Sequence, residues 1–320
     1  MLKIAIIGAG VAGLTLAHKL KEAGYLQVEI FDKGKAPGGR TSSRRIDQGY
    51  LDHGAQFLTI KDLEFREFLA SHLPQELIVR WDVDFALWQN GKFIPKERLR
   101  YVPLQSMSAL CKQLAVGLSV KTQVRITSLE RQWRLLDEQA NSYGPFDLVV
   151  LTAPPAQSCA LLKGHSDDLA QEVSKIQMWP CWSLMLTSSE PVVFPFAGIE
   201  FEHPVLGWIG LNHTKAQRGK ITSFIVQANW NWSKENLESD PQQVTEILYR
   251  EFLQVMGLGD VNYKKIVHLW RYASPVEVAN TPYLLDQANR LALCGDWCVA
   301  GKIEGAFVSA NELAKKIINS

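Results

Sequence analysis

Gly8-Ala9-Gly10-Val11-Ala12-Gly13 stands between a short apolar run, KIAII at residues 3–7, and a segment in which Leu14, Leu16, Ala17 and Leu20 recur at helical spacing as far as Gly24. This reads as strand, tight turn and helix. A second β-prone run follows at residues 28–31, so the N-terminal part is a βαβ unit, whose intervening helix implies parallel strands. Each glycine has its own reason. Gly8 permits the turn, Gly10 lets a pyrophosphate approach the backbone, and Gly13 lets the helix pack closely on the strand, while the helix N-terminus attracts phosphate. Asp32 falls 19 residues after Gly13, at the end of the second run, where a carboxylate can accept hydrogen bonds from a ribose diol.

That motif does not separate NAD from FAD; the segments that follow favour FAD. Gly38-Gly39-Arg40 supplies two flexible residues and a guanidinium suited to the phosphates or inner ribityl region of an extended dinucleotide, although an ordinary surface loop would read the same way. Near the C-terminus, Leu293-Cys294-Gly295-Asp296-Trp297 repeats the design of a buried strand ending in glycine and a carboxylate. Glu304-Gly305-Ala306 then opens a final helix running to about residue 318. Asp296 is expected to accept a ribityl hydroxyl. The backbone N–H groups of Gly305 and Ala306 are expected to point at the flavin pyrimidine edge, where a positive helix end stabilises negative charge on the reduced ring. Glu304 fits two roles equally well, a cofactor contact or a carboxylate that serves only its own helix.

The 320 residues, 47% hydrophobic, are enough for two domains. The expected division is a discontinuous FAD-binding domain at 1–75, 105–160 and 270–320, with a substrate domain at 76–104 and 161–269. The expected fold class is α/β: a Rossmann-type FAD-binding domain with a second, mixed-sheet α+β domain. Asn90-Gly91 predicts a hairpin turn, residues 107–117 and 241–256 predict helices, and residues 160–270 predict many short strands. With 34 basic and 33 acidic residues no global field draws in nucleic acid or an anionic membrane, so selectivity has to be local. Five scattered cysteines, an odd number without a C-x-x-C pair, fit a reducing cytoplasm and small buried hydrophobes rather than a disulfide framework or a metal site. No run approaches the roughly 20 apolar residues of a membrane span.

The segments IAIIGAGVAGL, APGGRTSSRR, LDHGAQFL, HLWRYASP and GDWCVAGKIEGAFVSA together resemble the renalase group, within the flavin amine oxidase and glutathione-reductase-like superfamily. The resemblance is strongest in the two cofactor segments and weakest between 160 and 265. It implies oxidation of misreduced 2- or 6-dihydronicotinamide nucleotides to NAD(P), with oxygen as the second substrate and hydrogen peroxide as product. It also implies contacts of non-covalent FAD at Ala12, Asp32, Lys33, Arg40, Ala55 and Gln56, and a backbone contact to adenine from Ile126. The family's GRVEGA is GKIEGA here, which leaves the helix-end argument intact. Larger departures fall where substrate is expected: VPLQSM replaces a glycine-containing turn, Gln227 stands where His is common, and Leu269 follows His268 where Arg is common.

A dihydropyridine is already a hydride donor, so the protein need only stack it with the donor carbon near flavin N5. No catalytic side chain is assigned on this reading. Trp81, Asn212, His268 and Trp270 are the candidate substrate contacts, with core packing the competing explanation for each Trp and a satisfied structural histidine for His268. Two alternatives stay open: an amine oxidase or desaturase acting on another substrate, and an FAD-containing binding or sensor protein without rapid turnover.

Overall fold

The computed structural model describes residues 2–259 and 262–320. β1 (Lys3–Ile7) lies inside a six-stranded sheet ordered Leu284–Asp286, Leu291–Leu293, Leu148–Leu151, β1, β2 (Gln27–Phe31) and Ser119–Lys121. Every neighbouring pair is parallel except Leu284–Asp286 with Leu291–Leu293. Ile4 and Ile6 of β1 enter one hydrophobic core, and Ala5 and Ile7 enter a second core on the opposite face. A strand buried on both faces needs an unbroken apolar run, and KIAII supplies it. α1 (Val11–Glu22) covers one face and packs along the C-terminal helix, Ile303–Ile318, so the two ends of the chain meet over the same sheet.

A second sheet has seven strands, ordered Lys264–Pro275, Met178–Ser188, Thr222–Ala228, Leu206–Leu211, Gly198–Phe201, Phe85–Gln89 and Lys92–Lys96. Only Gly198–Phe201 and Phe85–Gln89 run parallel. Asn90-Gly91 closes the Phe85–Gln89/Lys92–Lys96 hairpin with φ of 52° and 75°, the left-handed pair such a two-residue turn requires. The helix Pro241–Met256 forms where it was expected, with the Asp240 carboxylate accepting from the N–H groups of Gln242 and Gln243, Pro241 in the first turn and Gly257 left-handed at the end. The architecture is thus a Rossmann-type α/β unit joined to a mixed-sheet unit.

Three elements differ from expectation. The strands Met178–Ser188 and Lys264–Pro275 are 11 and 12 residues long rather than short. Pro180, which reads as a strand breaker, falls at the register shift between Trp179 and Cys181, where no ladder N–H is needed. A helix at Leu63–His72 was not foreseen. Asp62 caps it by accepting from the Phe65 N–H, and Phe65, Phe68 and Leu69 bury one face.

Candidate active site

One cleft of about 1770 Å³ runs from the glycine-rich turn to the second sheet. At the turn, Gly8 has φ +119°, and a Cβ there would stand 2.5 Å from Thr152 Oγ1; one on Gly13 would stand 2.0 Å from the Gly8 carbonyl. Protein atoms alone therefore demand these two glycines. Gly10 is different: a Cβ there meets nothing within 4 Å. Gly10 precedes the first residue of α1 and lines the cleft with Ala12, so the space above it lies at a helix N-terminus whose N–H groups lack intrahelical acceptors. Gly38 N–H donates to the Ala9 carbonyl at 3.0 Å, which brings the Gly38-Gly39-Arg40 loop against the turn.

Asp32 also lines the cleft, and its carboxylate has a second task. Oδ2 accepts from Ala9 N–H at 2.7 Å and Oδ1 from Gly34 N–H at 2.6 Å, pinning the glycine-rich turn to the end of β2. Charge-assisted bonds of this kind contribute roughly 1.5–3 kcal/mol each. Asp32→Ala should therefore loosen the turn and lower FAD retention at least about tenfold, measured as flavin occupancy after dialysis. Unchanged occupancy would overturn the assignment. Lys33 donates to Gln157 Oε1 at 2.9 Å, and Lys33 and Ile126 line the same end of the cleft.

Arg40 and Asp296, 256 residues apart, form a two-pronged ion pair at 2.8 and 2.5 Å. The pairing of Asp296 with Arg40 was not foreseen from sequence. Both Asp296 oxygens already hold a guanidinium, and the pair as a unit faces the cleft. The C-terminal helix begins at Ile303, one residue earlier than expected, with Lys302 as its cap. Ala306 N–H consequently donates to the Lys302 carbonyl at 3.0 Å and is not available to a ligand, which corrects the role given to it; Gly305 N–H remains in the first turn. Glu304 takes neither of its two expected roles: its carboxylate accepts from the N–H groups of Lys61 and Asp62, both at 2.6 Å, which joins the last helix to the start of Leu63–His72, and it does not line the cleft.

At the far end, His268 and Trp270 do line the cleft, whereas Trp81 and Asn212 do not. Trp81 is 2% exposed, packs edge-on against Phe85 and donates to Thr214 Oγ1 at 3.0 Å. Asn212 accepts from Asp52 N–H at 3.2 Å and donates to the Tyr50 carbonyl at 2.8 Å, tying the DHGAQ loop to the second sheet. VPLQSM likewise does not line the cleft. Gln105 carries the left-handed φ of 65° where a glycine would be usual, and Met107 N–H donates to Asp52. Ala55 donates to the Arg40 carbonyl at 2.9 Å; Gln56 accepts from buried Lys215 at 3.1 Å, and its amide bonds the Asp52 and Gly54 carbonyls.

His53 was missed from sequence, where only its place in DHGAQFL marks it. It stacks on Trp270 at 5.2 Å and meets His268 edge-on at 4.9 Å, while Trp270 Nε1 donates to its carbonyl at 2.8 Å. Burial, with His268 next in effect, pushes its pKa down to about 4; burial, and Arg44 after it, also lower His268. Both imidazoles are uncharged near neutral pH. Below pH 6.5 the unfolded chain takes up a proton at His53 that the native state refuses until about pH 4. Native stability should therefore fall across that window by roughly 3 kcal/mol from this residue alone. Denaturant titrations at pH 7 and pH 4.5 should show a smaller drop for His53→Gln than for wild type, and an equal drop would refute the shift.

Ten Lys or Arg and only four Asp or Glu line the cleft, against a chain total of 34 and 33, so the positive charge is focused here. The volume exceeds the roughly 300–1,000 Å³ of an ordinary ligand pocket, leaving room for a dinucleotide and a second molecule. The open space over Gly10 and this charge fit FAD.

Residues 6–71 match the family of NAD(P)-binding Rossmann-like domains. The chain is 29% identical over 198 residues to the tRNA 5-methylaminomethyl-2-thiouridine biosynthesis bifunctional protein MnmC of Magnetococcus marinus, covering 47% of this chain and 29% of that protein. It is 45% identical over 63 residues to the flavin-dependent L-tryptophan oxidase RebO of Lentzea aerocolonigenes, covering 18% and 13%. The matched stretch is under a third of the length of either relative. The structure superimposes on cyclohexylamine oxidase from Brevibacterium oxydans IH-35A with a TM-score of 0.79 over 99% of both chains, at 11% identity. The two share a fold.

Proposed function

We propose that this chain is an FAD-dependent oxidase whose electron donor is a misreduced dihydronicotinamide nucleotide, the 2- or 6-dihydro isomer of NAD(P), with oxygen as second substrate. The observation that carries the reading is the basic cleft that joins the open backbone at Gly10 to the wall of His53, His268 and Trp270. Bound there without a covalent link, FAD would supply a hydride acceptor at N5 and pass the electrons to oxygen, giving hydrogen peroxide. The helix N-terminus at Gly10 and the Arg40–Asp296 pair would hold the dinucleotide, while Trp270, Trp208 and Gln227 would bound the space for the donor ring. Gln227 keeps its amide turned to the Gly54 carbonyl at 2.8 Å, and the two uncharged imidazoles add no proton to the site. Hydride loss from a dihydropyridine needs no base, which suits such a wall.

Amine oxidation is the second reading. It draws on the aromatic character of the same wall, where an uncharged amine could lie, and on the fold shared with cyclohexylamine oxidase. Anaerobic mixing with each donor class separates the two: bleaching by dihydronicotinamide isomers supports the first, bleaching by primary amines alone the second. Acid precipitation should leave yellow FAD in the supernatant, and colour retained in the pellet would refute non-covalent binding.

A further inference from the structure

On the rim of the cleft, Arg98 and Arg100 both reach one carboxylate, that of Glu200, at 3.5 and 3.8 Å. Neither is a close ion pair, and two guanidinium groups divide one acceptor. Arg100 has further capacity in hand. Among the described residues its Nε is buried without a partner and its Nη1 reaches only the Leu99 carbonyl at 3.5 Å, and its guanidinium lies 4.4 Å from the Phe57 ring centroid, which fixes the plane of the fork. Arg98 Nη1 reaches the Glu97 carbonyl at 3.4 Å, and Glu97, also on the cleft, forms no ion pair among the described residues. An antiparallel bridge between Leu58 and Tyr101 ties this segment to the loop that carries Ala55 and Gln56, and Trp208 packs against Phe57 at 5.5 Å. The arginine pair therefore borders the second-ligand end of the cleft, away from the glycine-rich turn that would hold the cofactor phosphates.

We infer that Arg98 and Arg100 form an oxyanion subsite for a phosphate group of the electron donor, with Glu200 occupying it until the phosphate enters. A phosphate offers several acceptor oxygens to two forks, where Glu200 offers one distant carboxylate. The pair thus selects phosphorylated donors over the bare ring and its riboside. This rests on the dihydronicotinamide reading of the same cleft.

The test uses the flavin-loaded enzyme and the 6-dihydronicotinamide isomer as riboside and as 5′-mononucleotide, in anaerobic stopped-flow reduction. The mononucleotide should show an apparent Kd at least tenfold lower than the riboside. Arg100→Gln should raise the mononucleotide Kd at least tenfold with a much smaller change for the riboside, and Glu200→Gln should lower it. Arg98→Gln, at a more exposed position, gives the same comparison should Arg100→Gln fail to retain flavin. Calorimetric titration of the loaded enzyme with inorganic pyrophosphate needs no turnover, and its binding should weaken in the arginine variants. If no isomer reduces the flavin yet pyrophosphate binding is lost with Arg100, the donor reading fails and the subsite stands. If riboside and mononucleotide bind alike and pyrophosphate gives no arginine-dependent heat, the subsite is refuted while the donor reading stands.

Discussion

Asp52→Ala should lower the unfolding free energy by about 3–5 kcal/mol, because it strands two charges in the interior. Asp52 is fully buried and accepts from Arg218 Nε at 2.8 Å, Lys215 Nζ at 3.3 Å, Ser43 Oγ at 2.7 Å and Met107 N–H at 2.9 Å. Burial opposes its ionisation, but Lys215 and Arg218 together hold the carboxyl below its ordinary range, so it is charged. Without it, Lys215, whose pKa burial has already pushed down to about 8, and the equally buried Arg218 lose their counter-ion. The damage reaches the site, since Lys215 also bonds Gln56 and the cluster braces the DHGAQ loop. Urea unfolding at pH 7 with matched flavin content gives the measurement. A loss below 1 kcal/mol would contradict the account, because a median surface ion pair contributes about 0–1 kcal/mol.

Dihydronicotinamide isomers carrying hydride at C2 or C6 should bleach the flavin about a hundredfold faster than ordinary NAD(P)H. Its hydride sits at C4, and a wall that stacks the ring with C2 or C6 over flavin N5 leaves C4 displaced by about an ångström or more, a misplacement that costs about that factor. The rings of His53, His268 and Trp270 each touch the other two, and Trp270 is fixed by its bond to the His53 carbonyl, so the wall would hold a stacked ring in one orientation. Anaerobic stopped-flow traces of the visible flavin band would give both rates. Readmitted air should restore the yellow colour with formation of hydrogen peroxide. Equal rates for NAD(P)H and the isomers would remove the dihydronicotinamide reading and leave the fold untouched.

What could be read from the chain alone was set by signals within a few residues of one another. The doubly buried β1, the spacing of Gly8, Gly10 and Gly13, the Asn90-Gly91 hairpin, and the helix framed by Asp240, Pro241 and Gly257 each depend on local backbone needs that few residue types meet. The same logic sets Asp32 at the end of β2, where it lines the cleft, but its bonds to Ala9 and Gly34 were not foreseen. A shift of one residue at the start of the last helix was enough to consume the Ala306 N–H, because intrahelical bonding begins a fixed four residues in.

The far end of the cleft was decided by tertiary structure. A tryptophan has the same apolar bulk in a core as in a cleft, and only the loop path and strand pairing of the second sheet turn Trp270 towards the open space while Trp81 is packed away beside Phe85. Nor does sequence spacing reveal that Arg40 meets Asp296, that Asp52 meets Lys215 and Arg218, or that His53 meets His268. These partners lie from 163 to 256 residues apart for the ion pairs. Charges can be brought together in the interior only when the folded chain supplies both partners and excludes water from each, and that condition belongs to the packed sheets rather than to any local stretch.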